Sequence, residues 1–217
     1  MDEGRARDSI VAAARMMSAA GLAEAFGHVS IRWGDGFLIT STLPFATAGP
    51  EDVVLVPDLA DPPSGGGNTP LETPMHAAVY AARADVNAIC RGHPPAVVAW
   101  GVGTESVPLF HGLGALAGER VDVHDNVQLV STSTHGAAVA ETLGDGHAVV
   151  LRANGCLAAG ATPLEALTRL YFLEERARIA LTAGRERETT DWQRRLADTA
   201  AELPRAMAWV AATFGPS

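Results

Sequence analysis

The sequence contains no lysine; all 16 basic residues are arginine. That absence removes Schiff-base aldol chemistry and pyridoxal catalysis, each of which needs a lysine amine as covalent partner. It also removes a phosphate loop of the Walker A type, whose lysine reaches the phosphates. Any carbanion chemistry in this chain therefore needs another electron sink. Basic runs and aromatic-interleaved basic patches are missing too, and the net charge is −9, which argues against a nucleic-acid surface. Apolar runs are broken by Gly, Pro or charge well short of a membrane span. The opening "MDEGRARDSI" is acidic and has no apolar signal-peptide core. Cysteine is limited to Cys90 and Cys156, each in an apolar, strand-like context, which predicts buried thiols rather than a disulfide. Together these absences predict a cytoplasmic protein whose partners include neither nucleic acid nor membrane.

What is present suits one sizeable domain: 217 residues, close to half of them apolar, with moderate charge. Asp8 or Ser9 can cap a first helix over "IVAAARMMSAA", stopped at Gly21. "HVSIRW" and "FLITS" alternate as strands around Gly34-Asp35-Gly36, a hairpin signal. A strand over "DVVLVPD" leads into the loop "PPSGGGNTP", and Thr73-Pro74 then opens a helix with proline at the tolerated first turn. Next come a strand over 86–90, a helix from Pro94, short strands near "SVPLF" and "RVDVH", and a helix over "GAAVAETL". "HAVVLRANGCLAAG" reads as a strand pair turning at Asn154-Gly155. The strongest helix follows, with a Thr162/Glu165 capping box, Pro163 in the first turn and Gly184 at its stop. A last helical region over 189–213 is broken at Pro204. The order predicts an α/β sandwich around a mostly antiparallel sheet, with residues 1–184 as the domain and 185–217 as its helical extension.

One short stretch, "CRGHPP" (90–95), raises the functional question. Residues two apart in a strand share a face, so Arg91 and His93 look out together. Two imidazoles there would make half a metal site, but a guanidinium is always charged and cannot ligate a cation.

Four stretches settle what the chain is similar to: "FGHVS" (26–30), "TPLETPMHAAVYAARADVNAICRGHPP" (69–95), "FHGLGALAG" (110–118) and "VVLRANGCLAAG" (149–160). In order, spacing and flanking residues they resemble the class II aldolase/adducin family over about residues 5–183. The resemblance implies an α/β/α sandwich that forms a homotetramer with active sites between neighbouring subunits. It also implies a divalent metal held by three histidines, which polarises a carbonyl and stabilises an enediolate, with a glutamate as acid/base.

Position by position, the match is uneven. Glu72 falls on the family's catalytic glutamate and His93 on the second histidine of its His-x-His pair, whereas Arg91 replaces the first histidine and Asn154 the third. A catalytic zinc or similar ion needs about three protein ligands, and Arg91 would repel it. The expectation is therefore an enzyme without cofactor or metal. The alternative is a divalent ion (zinc, manganese or iron) on His93 with Glu72 and Asn154. In the metal-free reading Arg91 takes over part of the metal's work by holding a carboxylate or a developing oxyanion, and Glu72 and His93 move protons. In a competing reading the site has decayed to a non-catalytic scaffold, as in the adducin branch, with Arg91 only a salt-bridge partner of Glu72.

Phosphosugar aldolases of the family carry Gly-Asn-x-Ser where this chain has Gly27-His28-Val29-Ser30. The variant is similar to members that handle non-sugar or carboxylated substrates, decarboxylases included. His28, Ser30, His76 and Asn154 are the candidate substrate-binding residues. His111 lies where the family brings in a proton-transfer side chain from the adjacent subunit. His124, His135 and His147 fall outside the motifs and read as surface or loop residues. The expected function is a lyase acting on a small keto- or hydroxy-acid through an enolate-type intermediate. The arginine-only, alanine-rich composition and the divergent site point to a specialised biosynthetic pathway.

Overall fold

The computed structural model describes residues 2–63, 65–184 and 198–215. Its elements are α1 (Glu3–Ala19), β1 (His28–Trp33), β2 (Gly36–Ile39), β3 (Val54–Val56), α2 (Thr73–Ala82), β4 (Ala88–Gly92), α3 (Pro95–Trp100), β5 (Asp122–His124), α4 (Ser133–Leu143), β6 (Ala148–Leu151), β7 (Gly155–Gly160), α5 (Pro163–Ala183) and α6 (Leu203–Phe214). The seven strands form one sheet in the order β3-β2-β1-β4-β7-β6-β5. Every pairing is antiparallel except β5 with β6.

Strand alternation divides the core in two. Val29, Ile31, Leu38, Ala88, Cys90, Val150 and Ala158 pack beneath α1, α3 and α5. Phe37, Ile39, Ile89, Val149, Leu151 and Leu157 pack beneath α2 and α4, against Met75, Tyr80 and Val139. Helices thus cover both faces, as the sequence predicts. Cys90 and Cys156 are buried free thiols. No helix among the described residues is long and apolar enough to cross a membrane.

Three local expectations need correction. The first helix starts at Glu3, not near Asp8, because Asp2 caps it by accepting from the Arg5 N–H at 2.9 Å. Arg7 then fastens its polar first turns through Glu3 and the carbonyls of Pro50 and Val53. "SVPLF" forms no strand; Val107 donates to the Val121 carbonyl, but no ladder follows. Pro204 opens α6 in its first turn rather than breaking a helix; the part of that expectation over 189–197 lies outside the described residues. Trp209 and Phe214 of α6 pack on Tyr171 of α5.

The segment from 107 to 119 is shaped from within by Arg176 of α5. Its buried guanidinium donates to the carbonyls of Val107, Pro108, Gly114, Gly118 and Glu119 at 2.5–3.4 Å. No carboxylate is among these partners, and burial pulls its pKa down to about 10.

Candidate active site

The register of the sheet builds the site. His28 on β1 stands directly opposite Arg91 on β4, so both side chains leave the sheet on the α2 side. Glu72 is the residue before α2 and points back toward the same place. Asn154 arrives on the β6–β7 turn, where Ala153 sits in the left-handed region at φ 54°. The turn lies so close that a side chain at Gly155 (φ 94°) would meet the Gly92 carbonyl at 2.2 Å and Arg91 Nη1 at 3.1 Å. Only glycine satisfies both the conformation and the contact.

These elements enclose a cavity of about 400 Å³ lined by His28, Glu72, Arg91, His93 and Asn154, with Glu24, Ser41, Thr42 and several apolar side chains. Arg91 is its organising group. Its side chain is 1% exposed and that of Glu72 6%, and Nε lies 2.8 Å from Glu72 Oε2. That contact is an ion pair by distance, with the N–H directed off the line. Nη2 donates to Oε1 at 3.4 Å, and Nη1 donates to the Gly92 carbonyl at 3.0 Å and to His93 Nε2 at 2.6 Å. Receiving that bond fixes the His93 tautomer: Nδ1 carries the proton and donates to the Phe26 carbonyl at 3.2 Å.

The imidazoles are all held neutral. Burial, then the Arg91 charge, lowers His93 to about 4, against hydrogen bonds with Phe26 and Asn154 that pull the other way. Burial, with His76, Arg91 and His93 adding to it, pushes His28 well below its usual range. His28 Nδ1 is buried without a partner.

The structure separates the other candidates. Ser30 and His76 do not line the cavity; they lie behind it in a buried chain. Ser30 Oγ is 2.8 Å from both His76 Nδ1 and the Tyr80 hydroxyl, and the His76 ring stacks on Phe37. Burial drives His76 to about 3. His111 also stands apart from the cavity, just before the short turn 112–117, with Nδ1 buried and unpartnered. His124 is not a surface residue: it is buried at the end of β5, with Nδ1 2.9 Å from Thr142 Oγ1.

Sequence reasoning missed three contributors. Leu129 comes from an irregular segment that carries no pattern, and Phe26, though it opens the "FGHVS" stretch, contributes a main-chain carbonyl that no side-chain pattern announces. Tyr80 was legible, since it follows His76 by four residues on one helix and so shares its face.

A profile described as Class II Aldolase and Adducin N-terminal domain matches residues 8–181. The chain belongs to the class II aldolase/adducin family. One curated relative is the 3,4-dihydroxyphthalate decarboxylase of Arthrobacter keyseri, 29% identical over 195 residues that cover 81% of this chain and 77% of that protein. Another is the 5-methylthioribulose-1-phosphate/5-deoxyribulose-1-phosphate aldolase of Rhodospirillum rubrum, 30% identical over 176 residues, with 79% and 78% covered. The solved L-fuculose-1-phosphate aldolase of Thermus thermophilus superposes with a TM-score of 0.74 at 28% identity, covering 84% of this chain and 96% of that one.

Class II aldolase/adducin members that use a divalent ion need donors free to receive it, and the residues present here do not fit one. His93 Nε2 already accepts from Arg91, and Glu72 faces the guanidinium. Among the described residues no group of three or more His, Cys, Asp or Glu side chains could hold a metal. The guanidinium is also less available than the sequence suggests. One edge of its fork, Nε and Nη2, faces Glu72, and the other includes the fully engaged Nη1. Neither edge can take a carboxylate bidentately without displacing Glu72 from one side or the Gly92 carbonyl or His93 from the other.

Proposed function

We propose that the protein is a lyase of the class II aldolase type, acting on a small keto- or hydroxy-acid through an enolate-type intermediate without a divalent metal. The observation that carries this reading is the single guanidinium joining Glu72 and His93 at the floor of an open cavity. The names of the curated relatives, a decarboxylase and an aldolase, support the reaction class.

Arg91 supplies a fixed positive charge beside the reacting oxygen, with one Nη2 N–H left to donate. The Asn154 amide gives a second donor at the same wall. When the bond between the substrate's carbons breaks, its electron pair passes into the carbonyl and forms the enolate. Glu72 is the acid/base: it takes the hydroxyl proton in an aldol cleavage and returns a proton to the carbanion carbon, and in a decarboxylation, where the carboxylate leaves as carbon dioxide, it delivers to that carbon a proton drawn from solvent. His93, with its Nε2 lone pair held by Arg91, is a positioning residue rather than a base. This departs from the role expected of it. We also infer a homotetramer, in which His111 enters a neighbour's cavity as an additional proton donor.

The decayed-scaffold reading is favoured by one observation, the internal satisfaction of Arg91; the open cavity above it supports the enzyme. The test is turnover of a panel of small keto- and hydroxy-acids by chelator-treated protein, followed by NMR. Activity should survive chelation and fall by about 10²–10⁴-fold in Glu72→Gln, the usual range for losing a general acid/base. Turnover that tracks bound metal, or that Glu72→Gln leaves intact, would refute the proposal.

A further inference from the structure

The cavity has two unlike halves. Its floor is the polar group around Arg91, and its outer wall is built from Phe26, Leu43, Leu71 and Leu129 with Phe45 behind them. Phe26 is 75% exposed, Leu71 51%, Leu129 45% and Leu43 41%. These four are among only ten large apolar side chains left exposed among the described residues, and they converge on one opening. Singly exposed apolar residues need no explanation, but a cluster on the rim of a polar cavity marks a ligand-binding wall.

The same region is poor in donors for a second anion beyond the acid group at the floor. Arg91 is the one cation among the lining residues, against the two acids Glu24 and Glu72. The start of α2 would ordinarily attract a phosphate, yet Pro70 and Pro74 have no N–H to offer. The Thr73 N–H is bonded to the Pro70 carbonyl at 3.1 Å and that of Met75 to the Glu72 carbonyl at 3.0 Å. Two nearby hydroxyls are spent on carbonyls as well, and Ser41 alone keeps its own proton. Thr42 donates to the Gly67 carbonyl at 3.2 Å, Thr73 to Pro70 at 2.6 Å, and Ser41 accepts from the Leu43 N–H at 3.4 Å.

We propose that the substrate carries an uncharged, apolar substituent of about phenyl size, seated against Phe26, Leu43, Leu71 and Leu129, and no phosphate ester. This names the substrate class of the site assigned above and rests on that assignment. The rim supplies affinity for the tail, and the floor performs the chemistry on the acid end.

Calorimetric titration of the full chain with phenylpyruvate, pyruvate and dihydroxyacetone phosphate tests it, separately from turnover. Phenylpyruvate should bind about tenfold or more tightly than either other probe, the gain expected for burying one ring against apolar side chains. Leu71→Asp and Leu43→Ser should each reduce the phenylpyruvate-to-pyruvate affinity ratio by about tenfold. Both positions are about half exposed, so the fold tolerates the changes, and thermal unfolding of the unliganded variants verifies that. Dihydroxyacetone phosphate binding as tightly as phenylpyruvate, a ratio unchanged in both variants, or no phenylpyruvate binding at millimolar concentration overturns the proposal. If the ratios behave as expected while Glu72→Gln leaves turnover intact, the lyase assignment fails and the substrate class stands.

Discussion

Replacing Arg91 by alanine should be severe for the fold as well as for catalysis. The change deletes an ion pair at 2.8 Å and hydrogen bonds to Gly92 and His93 at 3.0 and 2.6 Å. It also leaves the Glu72 carboxylate, 5% exposed, with no compensating charge. Breaking one side of a buried pair costs about 3–5 kcal/mol, most of it the stranded charge rather than the lost attraction. For a domain of this size that corresponds to a fall in Tm of roughly 6–20 °C. Urea denaturation followed by the fluorescence of the four tryptophans measures it directly. The double change Arg91→Met with Glu72→Gln removes both charges and should cost less than Arg91→Ala alone, because nothing charged is left buried. His93 gives an independent readout. With the guanidinium gone, the second cause of its depression disappears, and its NMR titration should move up from about 4 toward the usual histidine value. An Arg91→Ala protein within about 1 kcal/mol of wild type, or a double change equal to the sum of its singles, would refute the reasoning.

Acid should destabilise the protein well above the carboxylate range. His76 and His93 sit at about 3 and 4 when folded but near 6.5 when unfolded. Below about pH 6.5 the unfolded chain therefore binds protons that the folded one refuses, and stability falls as pH drops, at up to about 1.4 kcal/mol per pH unit for buried His76. Above that pH their contribution is constant. Urea midpoints that stay flat between about pH 7 and pH 5 would contradict this. For the metal, wild-type protein purified without chelator should hold well under one equivalent of zinc, manganese, iron or cobalt by elemental analysis. Arg91→His with Asn154→His restores the family's histidine positions and should raise zinc affinity sharply in competition with a chromogenic chelator, whereas Arg91→His alone should not. Equal affinity for the single and double variants would show that position 154 does not face the site.

The sheet was legible in part because a strand such as β1 obeys a period of two: Val29 and Ile31 go to one core, while Ser30 faces the other. That periodicity names a face but not what waits there. Ser30 and His76 read as substrate contacts because they fall in the motifs that resemble the family, and the structure instead spends both on Tyr80 and each other. The pairing of Arg91 with Glu72 was available as an alternative, since the motif places both at one site. The distance that makes it the centre of the cavity depends on the β4–α2 packing, which no local pattern encodes. The start of α1 was missed because its first turns are polar, and a helix held by a cap and an Arg7–Glu3 pair shows no apolar stripe.

The arginine on α5 that gathers five carbonyl oxygens has a consequence for how the 107–119 segment can change. A loop held through its main chain is intolerant of length, because one residue added or removed moves several oxygens off the guanidinium at once. Its exposed positions such as Leu113 can drift while its path stays constant, whereas Val107, Leu109, Leu116 and Ala117 are also fixed by burial. His111 rides on that path, so its placement is guaranteed by a residue 65 positions away that touches no substrate. Libraries that vary the exposed Leu113 should keep folding, and those that vary the length between Val107 and Glu119 should not.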